Sequence, residues 1–370
     1  MINTENFYNY LIANHIDFFA GVPDSLLANF CACVKDKTSD EKNIITANEG
    51  NAVAMCAGYH MSTGKIGLVY MQNSGEGNAV NPLVSLADED VYSIPMLLVI
   101  GWRGEPGKHD EPQHVKQGKI TLGLLETMGI AYEILEDDYE KQVKKAIDYM
   151  KKESKPYALV IRKGLFSEYK LSKEISKYEL TREDALKTII DNLSSDDIIV
   201  STTGKTSREI FEIREANKQG HSNDFLTVGS MGHTASIAYG VAIGTDKNVW
   251  CIDGDGSFIM HMGSLGVIGS KIPHNFKYIL NDNGAHESVG GQPTCSRSLD
   301  IPAILKACGF KKVVVAETKE EIESAIKIMR NEDKIALVLH TKQGSRDNLG
   351  RPTTTPQENK KALMHKLGVL

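Results

Sequence analysis

The sequence predicts an α/β protein built from two doubly wound parallel-sheet domains. Three observations carry this expectation. Short apolar runs alternate with helix-period segments along most of the chain. A polar, charged stretch without an apolar face, SEYKLSKEISKY at 167–178, interrupts that alternation near the middle. The segments on either side of it open in the same order. At 370 residues the chain has room for about two to three domains of roughly 100–200 residues each. We place the domains at 1–167 and 180–370, with a linker over 168–179 and no third, central domain.

The elements follow in order. Residues 3–30 read as a helix, a strand over 17–20, a turn at 21–24 and a helix over 26–30, and residues 180–213 repeat that order around a strand over 198–201. Further buried strands are expected over 44–47, 66–71, 96–100, 157–162, 249–253, 276–280 and 335–340, each a short apolar run bounded by polar or glycine residues. Small-residue helices follow two of the turns: AVAMCAGYHMSTG after Gly50, and the run containing Ala235, Ser236, Ala238, Gly240, Ala242 and Gly244 after Gly229-Ser230-Met231-Gly232.

Composition narrows the function. Charged residues make up 24% and hydrophobic ones 41%, ordinary globular values that argue against disorder. The formal net charge is −6, with no block of like charge, which disfavours nucleic acid as a generic partner. The six cysteines, Cys31, Cys33, Cys56, Cys251, Cys295 and Cys308, form no C-x-x-C pair, so zinc ribbons and iron–sulfur clusters are not expected. They read as buried or half-buried thiols in a reducing cytoplasm. The N-terminus lacks a basic region followed by an apolar core and cleavage site, and the longest apolar stretches, such as 95–102, are strand-sized. A cytoplasmic protein without a membrane partner is expected.

The most informative stretch is 248–291. The strand VWCID runs into Gly254-Asp255-Gly256, a helix is expected from Ser257 to about Ser270, and the strand FKYIL ends in Asn281-Asp282-Asn283-Gly284. In a right-handed βαβ unit both strands point the same way, so Asp255 and Asn283 meet at the carboxyl edge, where open α/β sheets bind ligands. A carboxylate and an amide oxygen there make half a site of hard oxygens for Mg²⁺ or Ca²⁺, with a phosphate filling other positions. Gly254 and Gly256 let the backbone approach an anion closely. The second metal ligand is Asn283 or, one residue earlier, Asp282. A GDG taken alone is often only a strand-to-helix turn. Two competing motifs fail: GKT at 204–206 lacks the P-loop glycine, since Ile199 stands there, and the Asp253/Asp255 pair has Ser264 at the twelfth position of an EF-hand loop.

With the GDG…N spacing in hand, the chain resembles the thiamin diphosphate-dependent 2-oxoacid decarboxylases, in the branch that acts on phosphonopyruvate, with sulfopyruvate as the near alternative. GVPDSLL (21–27), NEGNAVAMCAGYH (48–60), QNSGEGNAVNPL (72–83), GWRGEPGKHDEPQHVKQGKIT (101–121), TTGKTSREIF (202–211), GSMGH (229–233), GDGSF (254–258) and NDNGAHESVGGQPT (281–294) carry the likeness over nearly the whole chain. The resemblance implies a pyrimidine-binding domain followed by a diphosphate-binding domain, and no place for FAD. It further implies thiamin diphosphate and Mg²⁺ as cofactors, and a homo-oligomer with its active site at a subunit interface.

Site residues follow from the same likeness. Asp255, Asn283 and the backbone oxygen of Ala285 are implied as metal ligands. Asn73, Gly229, Ser230, Met231, Gly254, Gly256 and Ser257 join Asp255 and Asn283 around the cofactor, Met231 supporting its bent form. Glu49, which follows a buried strand and opens a helix, would hydrogen-bond the aminopyrimidine ring and serve in proton transfer; an arbitrary glutamate there is otherwise a helix-terminal charge. A substrate with a carboxylate and a phosphonate needs cations, and the candidates are Lys108, Lys205 and Arg208, with Arg103 and Arg297 as further basic residues and Asp24 and Ser25 beside them. His109, His114 and His286 are the proton-donor candidates. The fusion of both halves in one chain is expected to favour phosphonopyruvate over sulfopyruvate. A thiamin diphosphate-binding protein without turnover is the remaining alternative, against which Glu49 speaks.

Overall fold

Alternation of buried side chains between two faces organises both sheets. In the strand Gly67–Gln72, Leu68 and Tyr70 enter one apolar core while Val69 and Met71 enter another. In Val249–Gly254, Trp250 and Ile252 face one core, and Val249 and Cys251 the other. Strands buried on both sides require helices on both faces, the doubly wound arrangement. The computed structural model describes residues 1–171 and 176–370.

The chain divides into two units. The first comprises Met1–Lys173 with Val289–Gln292, the second Glu174–Ser288 with Pro293–Leu370. The linker expected over 168–179 includes residues 172–175, which lie outside the described residues.

The first unit holds β1 (Phe19–Gly21), β2 (Asn43–Ile45), β3 (Gly67–Gln72), β4 (Met96–Gly101), β5 (Ala131–Ile134) and β6 (Tyr157–Ile161), all parallel, in the order β2-β1-β3-β4-β6-β5. Its helices are α1 (Thr4–Ala13), α2 (Ala28–Lys37), α3 (Glu49–Thr63), α4 (Glu76–Pro82), α5 (Pro112–Thr127) and α6 (Tyr139–Glu153). Local chemistry sets the ends of α3: the Asn48 side chain accepts from Asn51 N at the start, and Gly64, in the left-handed region at φ 71°, closes it.

The second unit holds β7 (Ile198–Ser201), β8 (Asp224–Leu226), β9 (Val249–Gly254), β10 (Phe276–Asp282), the two-residue β11 (Ala285–His286) and β12 (Gln292–Pro293, shared with the first unit), β13 (Lys312–Ala316) and β14 (Ile335–His340). Its helices are α7 (Arg182–Asp191), α8 (Lys205–Ala216), α9 (Thr234–Ala242), α10 (Asp255–Met260), α11 (Gly263–Ser270), α12 (Ile301–Ala307), α13 (Lys319–Asn331) and α14 (Pro356–Lys366). The six-stranded sheet runs β13-β14-β10-β9-β7-β8, again all parallel. Counting only the strands of each six-stranded sheet in chain order, both sheets follow 2-1-3-4-6-5. The shared opening pattern of the two halves therefore extends to their whole topology.

Several expectations change in detail. The single helix expected from Ser257 to Ser270 is two, α10 and α11, because the backbone leaves the helical region at His261 (φ −134°, ψ 42°). The strands β5, β8 and β13 were not anticipated; all lie at sheet edges, where half-exposed positions break the apolar run. Cys295 is exposed, against the expectation of buried or half-buried thiols, while Cys31, Cys33, Cys56 and Cys251 are buried and Cys308 is half-buried. Among the described residues no helix is long and apolar enough to cross a membrane.

Candidate active site

In the second unit the register sets Gly254 of β9 beside Asn281 of β10. Asp255, opening α10, and the residues that end β10 therefore emerge at the same carboxyl edge. Both Asp255 and Asn283 are buried, at 4% and 6% exposure. Asp255 Oδ2 accepts from the Thr294 hydroxyl at 2.6 Å, and the Ser296 hydroxyl lies 3.4 Å from the same oxygen while donating to Asp282 Oδ1 at 2.7 Å. Burial, with Asp282 nearby adding repulsion, pushes the Asp255 carboxyl up to about 7.

Asp282 is engaged differently. Its oxygens accept from Ser296, from Gly284 N at 3.0 Å and from Arg297 Nη1 at 2.9 Å, and His340 Nδ1 lies 3.3 Å away. Burial alone would raise it, but His340, Ser296 and Arg297 hold it below the usual carboxylate range. Two carboxylates thus sit together with one guanidinium, and that guanidinium bonds to Asp282. The charge a divalent cation would neutralise is left on Asp255.

Asn283 has its two amide ends committed in opposite directions. Oδ1 accepts from Ala285 N at 3.0 Å, and Nδ2 donates to Glu287 Oε2 at 2.8 Å. The same Glu287 oxygen accepts from Arg182 Nη1 at 2.8 Å, and its Oε1 from Lys205 Nζ at 3.1 Å. Arg182 forms a buried two-bond pair with Glu209, both contacts 2.7 Å. The structure thus ties Lys205 to Asn283 through one carboxylate.

Around Asp255 the backbone is close-packed. A Cβ at Gly256 would lie 3.0 Å from the His286 ring and 3.0 Å from Met231 Cε, so glycine lets these two side chains pack against the start of α10. The turn carrying Gly229, Ser230 and Met231 is pinned to this helix by Gly232 N donating to Ser257 Oγ at 3.2 Å, with Ser230 and Gly232 in the left-handed region at φ 56° and 88°. Met231 and Gly229 are half-buried, and Ser230 is exposed. His286 is half-buried, and burial lowers its imidazole to about 4. Arg208 is half-buried in the first turn of α8.

Among the described residues, no group of three or more His, Cys, Asp or Glu side chains is arranged to hold a metal ion. The candidate set here is of another kind: one carboxylate (Asp255), one amide oxygen (Asn283) and one backbone carbonyl (Ala285). Such hard oxygens suit Mg²⁺, which keeps its remaining positions for water and phosphate. The Cβ-free backbone at Gly256 and the buried Asp255 carboxylate fit a diphosphate–metal group.

In the first unit, Glu49 follows β2 and opens α3, buried at 4% exposure. Its Oε2 accepts from Asn78 Nδ2 at 2.7 Å, and burial raises its pKa. A Cβ at Gly75 would lie 2.3 Å from Glu49 Oε1, so the loop after β3 lies directly against the carboxylate. Asn73, in that loop, is fully buried and braces the next one: Nδ2 donates to Arg103 O and Thr121 Oγ1, both 2.8 Å, and Oδ1 accepts from Arg103 N at 3.1 Å.

Arg103 in turn donates from Nε to Asp110 Oδ2 at 2.8 Å and from Nη1 to Ser25 Oγ at 2.8 Å. Asp24 is fully buried, its Oδ2 accepting from Leu26 N at 3.0 Å, and burial pushes it up to about 6. Asp24, Ser25, Arg103 and Asn73 are thus one connected group. His114 is buried beside it, lowered to about 4 by burial and by Arg103, with its Nδ1 lacking a partner. Lys108 and His109 are exposed on the same loop.

Residues that sequence reasoning passed over carry much of this network. Glu287, Thr294 and Ser296 lie in or beside quoted motifs, yet their types alone gave no reason to prefer them. Asn78 and Glu76 sit in the glycine-rich stretch after β3. Glu76 is 1% exposed with neither carboxyl oxygen bonded. An acidic residue amid glycines and alanines was the available signal.

The geometry describes a chain with two sites of distinct chemistry, and the comparisons assign its class. Residues 3–122 match the thiamine pyrophosphate enzyme N-terminal TPP binding domain, and residues 202–339 the thiamine pyrophosphate enzyme C-terminal TPP binding domain. The chain is 33% identical to the phosphonopyruvate decarboxylase of Streptomyces viridochromogenes over 92% of its own length and 88% of that protein. It is 31% identical to that of Streptomyces hygroscopicus, over 97% and 92%. It is 28% identical to the sulfopyruvate decarboxylase of Methanosarcina acetivorans, over 96% and 95%. Among thiamine pyrophosphate enzymes, the chain belongs to the phosphonopyruvate decarboxylase family. The Methanosarcina relative, matched nearly end to end, is a sulfopyruvate enzyme with both halves in one chain, so fusion favours phosphonopyruvate without excluding sulfopyruvate.

Proposed function

We propose that this chain decarboxylates 3-phosphonopyruvate to phosphonoacetaldehyde and CO₂ with thiamin diphosphate and Mg²⁺, a step of phosphonate biosynthesis. The observation that carries the cofactor reading is the buried Asp255 carboxylate beside the Asn283 amide at the carboxyl edge of β9 and β10. Two relatives named for phosphonopyruvate support the substrate.

In this reading Asp255 Oδ, Asn283 Oδ1 and the Ala285 carbonyl would hold Mg²⁺, and the backbone at Gly254, Gly256 and Ser257 would bind the diphosphate. Met231 packs under the cofactor, with Gly229 and Ser230 shaping its turn. Bound thiamin diphosphate supplies the electron sink for the pair left when CO₂ departs. Glu49 holds a proton at the aminopyrimidine ring, a task suited to a carboxyl whose pKa burial has raised. Asn73 acts by bracing the Arg103 loop rather than through a free polar atom.

Lys205 and Arg208 face the anionic substrate from the start of α8, and the Asp24–Ser25–Arg103 group orients it from the first unit's chemistry. His114 and His286, both held to about 4, are neutral imidazoles at pH 7 and offer an N–H rather than an acidic proton. His109 is the one exposed histidine of the three candidates. We assign the assembly as a homo-oligomer whose site combines residues of two copies, in the cytoplasm, with a small anionic 2-oxoacid as substrate. Sulfopyruvate is the second reading, favoured by the Methanosarcina relative.

The test is CO₂ release from phosphonopyruvate, sulfopyruvate and pyruvate, each with and without thiamin diphosphate and Mg²⁺. Cofactor-dependent turnover fastest on phosphonopyruvate is expected. Faster turnover on sulfopyruvate replaces the substrate, and turnover on none overturns the reading.

A further inference from the structure

We propose that Glu287 is a positioning residue that turns the Asn283 amide so that its oxygen, and not its nitrogen, faces the metal. The inference rests on the reading that Asp255 and Asn283 hold Mg²⁺.

The two ends of an asparagine amide are nearly the same size, yet only the oxygen can bind a cation. Which end points outward depends on the partner of the other end. Glu287 Oε2 lies 2.8 Å from Nδ2, and a carboxylate bonded by two cations can only accept. The NH₂ is therefore the end it holds. Oδ1 is left on the opposite side, where Ala285 N donates to it at 3.0 Å. Both contacts favour the same rotamer of the amide.

Glu287 is itself fixed. Arg182 reaches its Oε2 at 2.8 Å from α7, and Arg182 is locked by two 2.7 Å bonds to Glu209 on α8. Arg182 and Glu209 are 4% and 0% exposed, so this anchor belongs to the core of the second unit. A flipped Asn283 would set its carbonyl oxygen against the Glu287 carboxylate, and the anchor gives that carboxylate no room to yield. Groups that orient a metal ligand from behind typically contribute about 10–100-fold to metal affinity.

The experiment measures Mn²⁺ binding to the purified protein with thiamin diphosphate, counting free Mn²⁺ by electron paramagnetic resonance. Glu287→Ala is expected to weaken binding by roughly 10–100-fold with its melting transition retained. Combining Glu287→Ala with Asn283→Ala is expected to lose no more than Asn283→Ala alone, because Glu287 acts through Asn283. Wild-type affinity in Glu287→Ala, or full additivity in the double variant, overturns the inference. Should Glu287→Ala not fold, Glu287→Asp keeps the charge beside Arg182 while withdrawing the acceptor from Nδ2, and carries the same expectation. Asp255→Ala and Asn283→Ala separate the two levels of the argument. If neither weakens Mn²⁺ binding, the metal reading itself falls; if both do and Glu287→Ala does not, only the role of Glu287 falls.

Discussion

The amide of Asn78 donates to Glu49 Oε2 at 2.7 Å, joining the first turn of α4 to the first residue of α3. Gly75 closes against the other oxygen, where a Cβ would stand 2.3 Å away. Glu49 is therefore held from two sides before any ligand arrives. Glu49→Gln keeps this shape but removes the ionisable proton, so turnover is expected to fall by roughly 10²–10⁴-fold, the usual span of a general acid–base group. Mn²⁺ binding should stay near wild type, because Asp255 and Asn283, the proposed metal ligands, lie in the other unit. Turnover within a few-fold of wild type in Glu49→Gln would remove Glu49 from proton transfer.

Glu76 gives a prediction about stability and pH. It is buried with both oxygens unbonded, and burial raises its pKa from 4.5 to about 8. An unfolded chain loses this proton near 4.5, whereas the folded chain keeps it until about 8. Between those values the folded state binds more protons, so the stability tied to Glu76 falls as pH rises through that window. Glu76→Gln keeps the shape and cannot ionise. Urea midpoints at pH 5 and pH 8 should differ less in the variant than in the wild type; parallel changes in the two proteins would contradict the assignment.

Much of this was legible in the sequence, and the reason differs by level. Strands such as β9 and β14 are buried on both faces, so their apolar runs stand out, and the GDG…N spacing then fixes which residues share the carboxyl edge. Edge strands are hidden where exposure breaks the run, although the three valines of β13 (KVVVA) do carry a strand signal. At the site, residue types pointed to Asp255 and Glu49 because acids at strand ends are chemically distinctive. Asn283 and Asp282 could not be told apart from their order alone. The structure distinguishes their settings through Arg297 and Ser296, which engage Asp282 from 15 and 14 positions later. Glu287 stayed hidden because its meaning lies in Arg182, 105 residues earlier in the chain.

The Arg182–Glu209 pair should matter far more to stability than exposed ion pairs. Both partners are buried, and removing Glu209 takes two of the three bonds from the Arg182 guanidinium, leaving it only the pair with Glu287. Glu209→Ala is expected to destabilise by about 3–5 kcal/mol. The Lys187–Asp191 pair, at 2.6 Å but with both side chains exposed, provides the contrast. Lys187→Ala should change stability by no more than about 0.5 kcal/mol. Chemical denaturation of both variants decides the matter, and equal losses would mean that the remaining pair with Glu287 satisfies the buried arginine.

Lys205 and Lys108 are both candidate cations for the substrate, and their settings divide them. Lys205 opens α8 at the carboxyl edge of β7, partly buried, with Nζ 3.1 Å from Glu287. That contact holds the ammonium in place near the Asn283 end of the site, so an arriving dianion meets a cation already ordered. Lys108 is exposed on the loop before α5, where water and salt screen its charge. A hydrogen bond to a charged group is worth about 1.5–3 kcal/mol, so Lys205→Ala should raise KM for phosphonopyruvate by roughly 10–100-fold. Pyruvate, which lacks the second anion, should show a much smaller change. Lys108→Ala should leave both KM values within about fivefold, since an exposed charge contributes at most about 1 kcal/mol. If Lys205→Ala raised KM equally for both substrates, the ammonium would be reading the carboxylate they share, and the phosphonate-binding cation would have to be sought at Arg208 or Arg103.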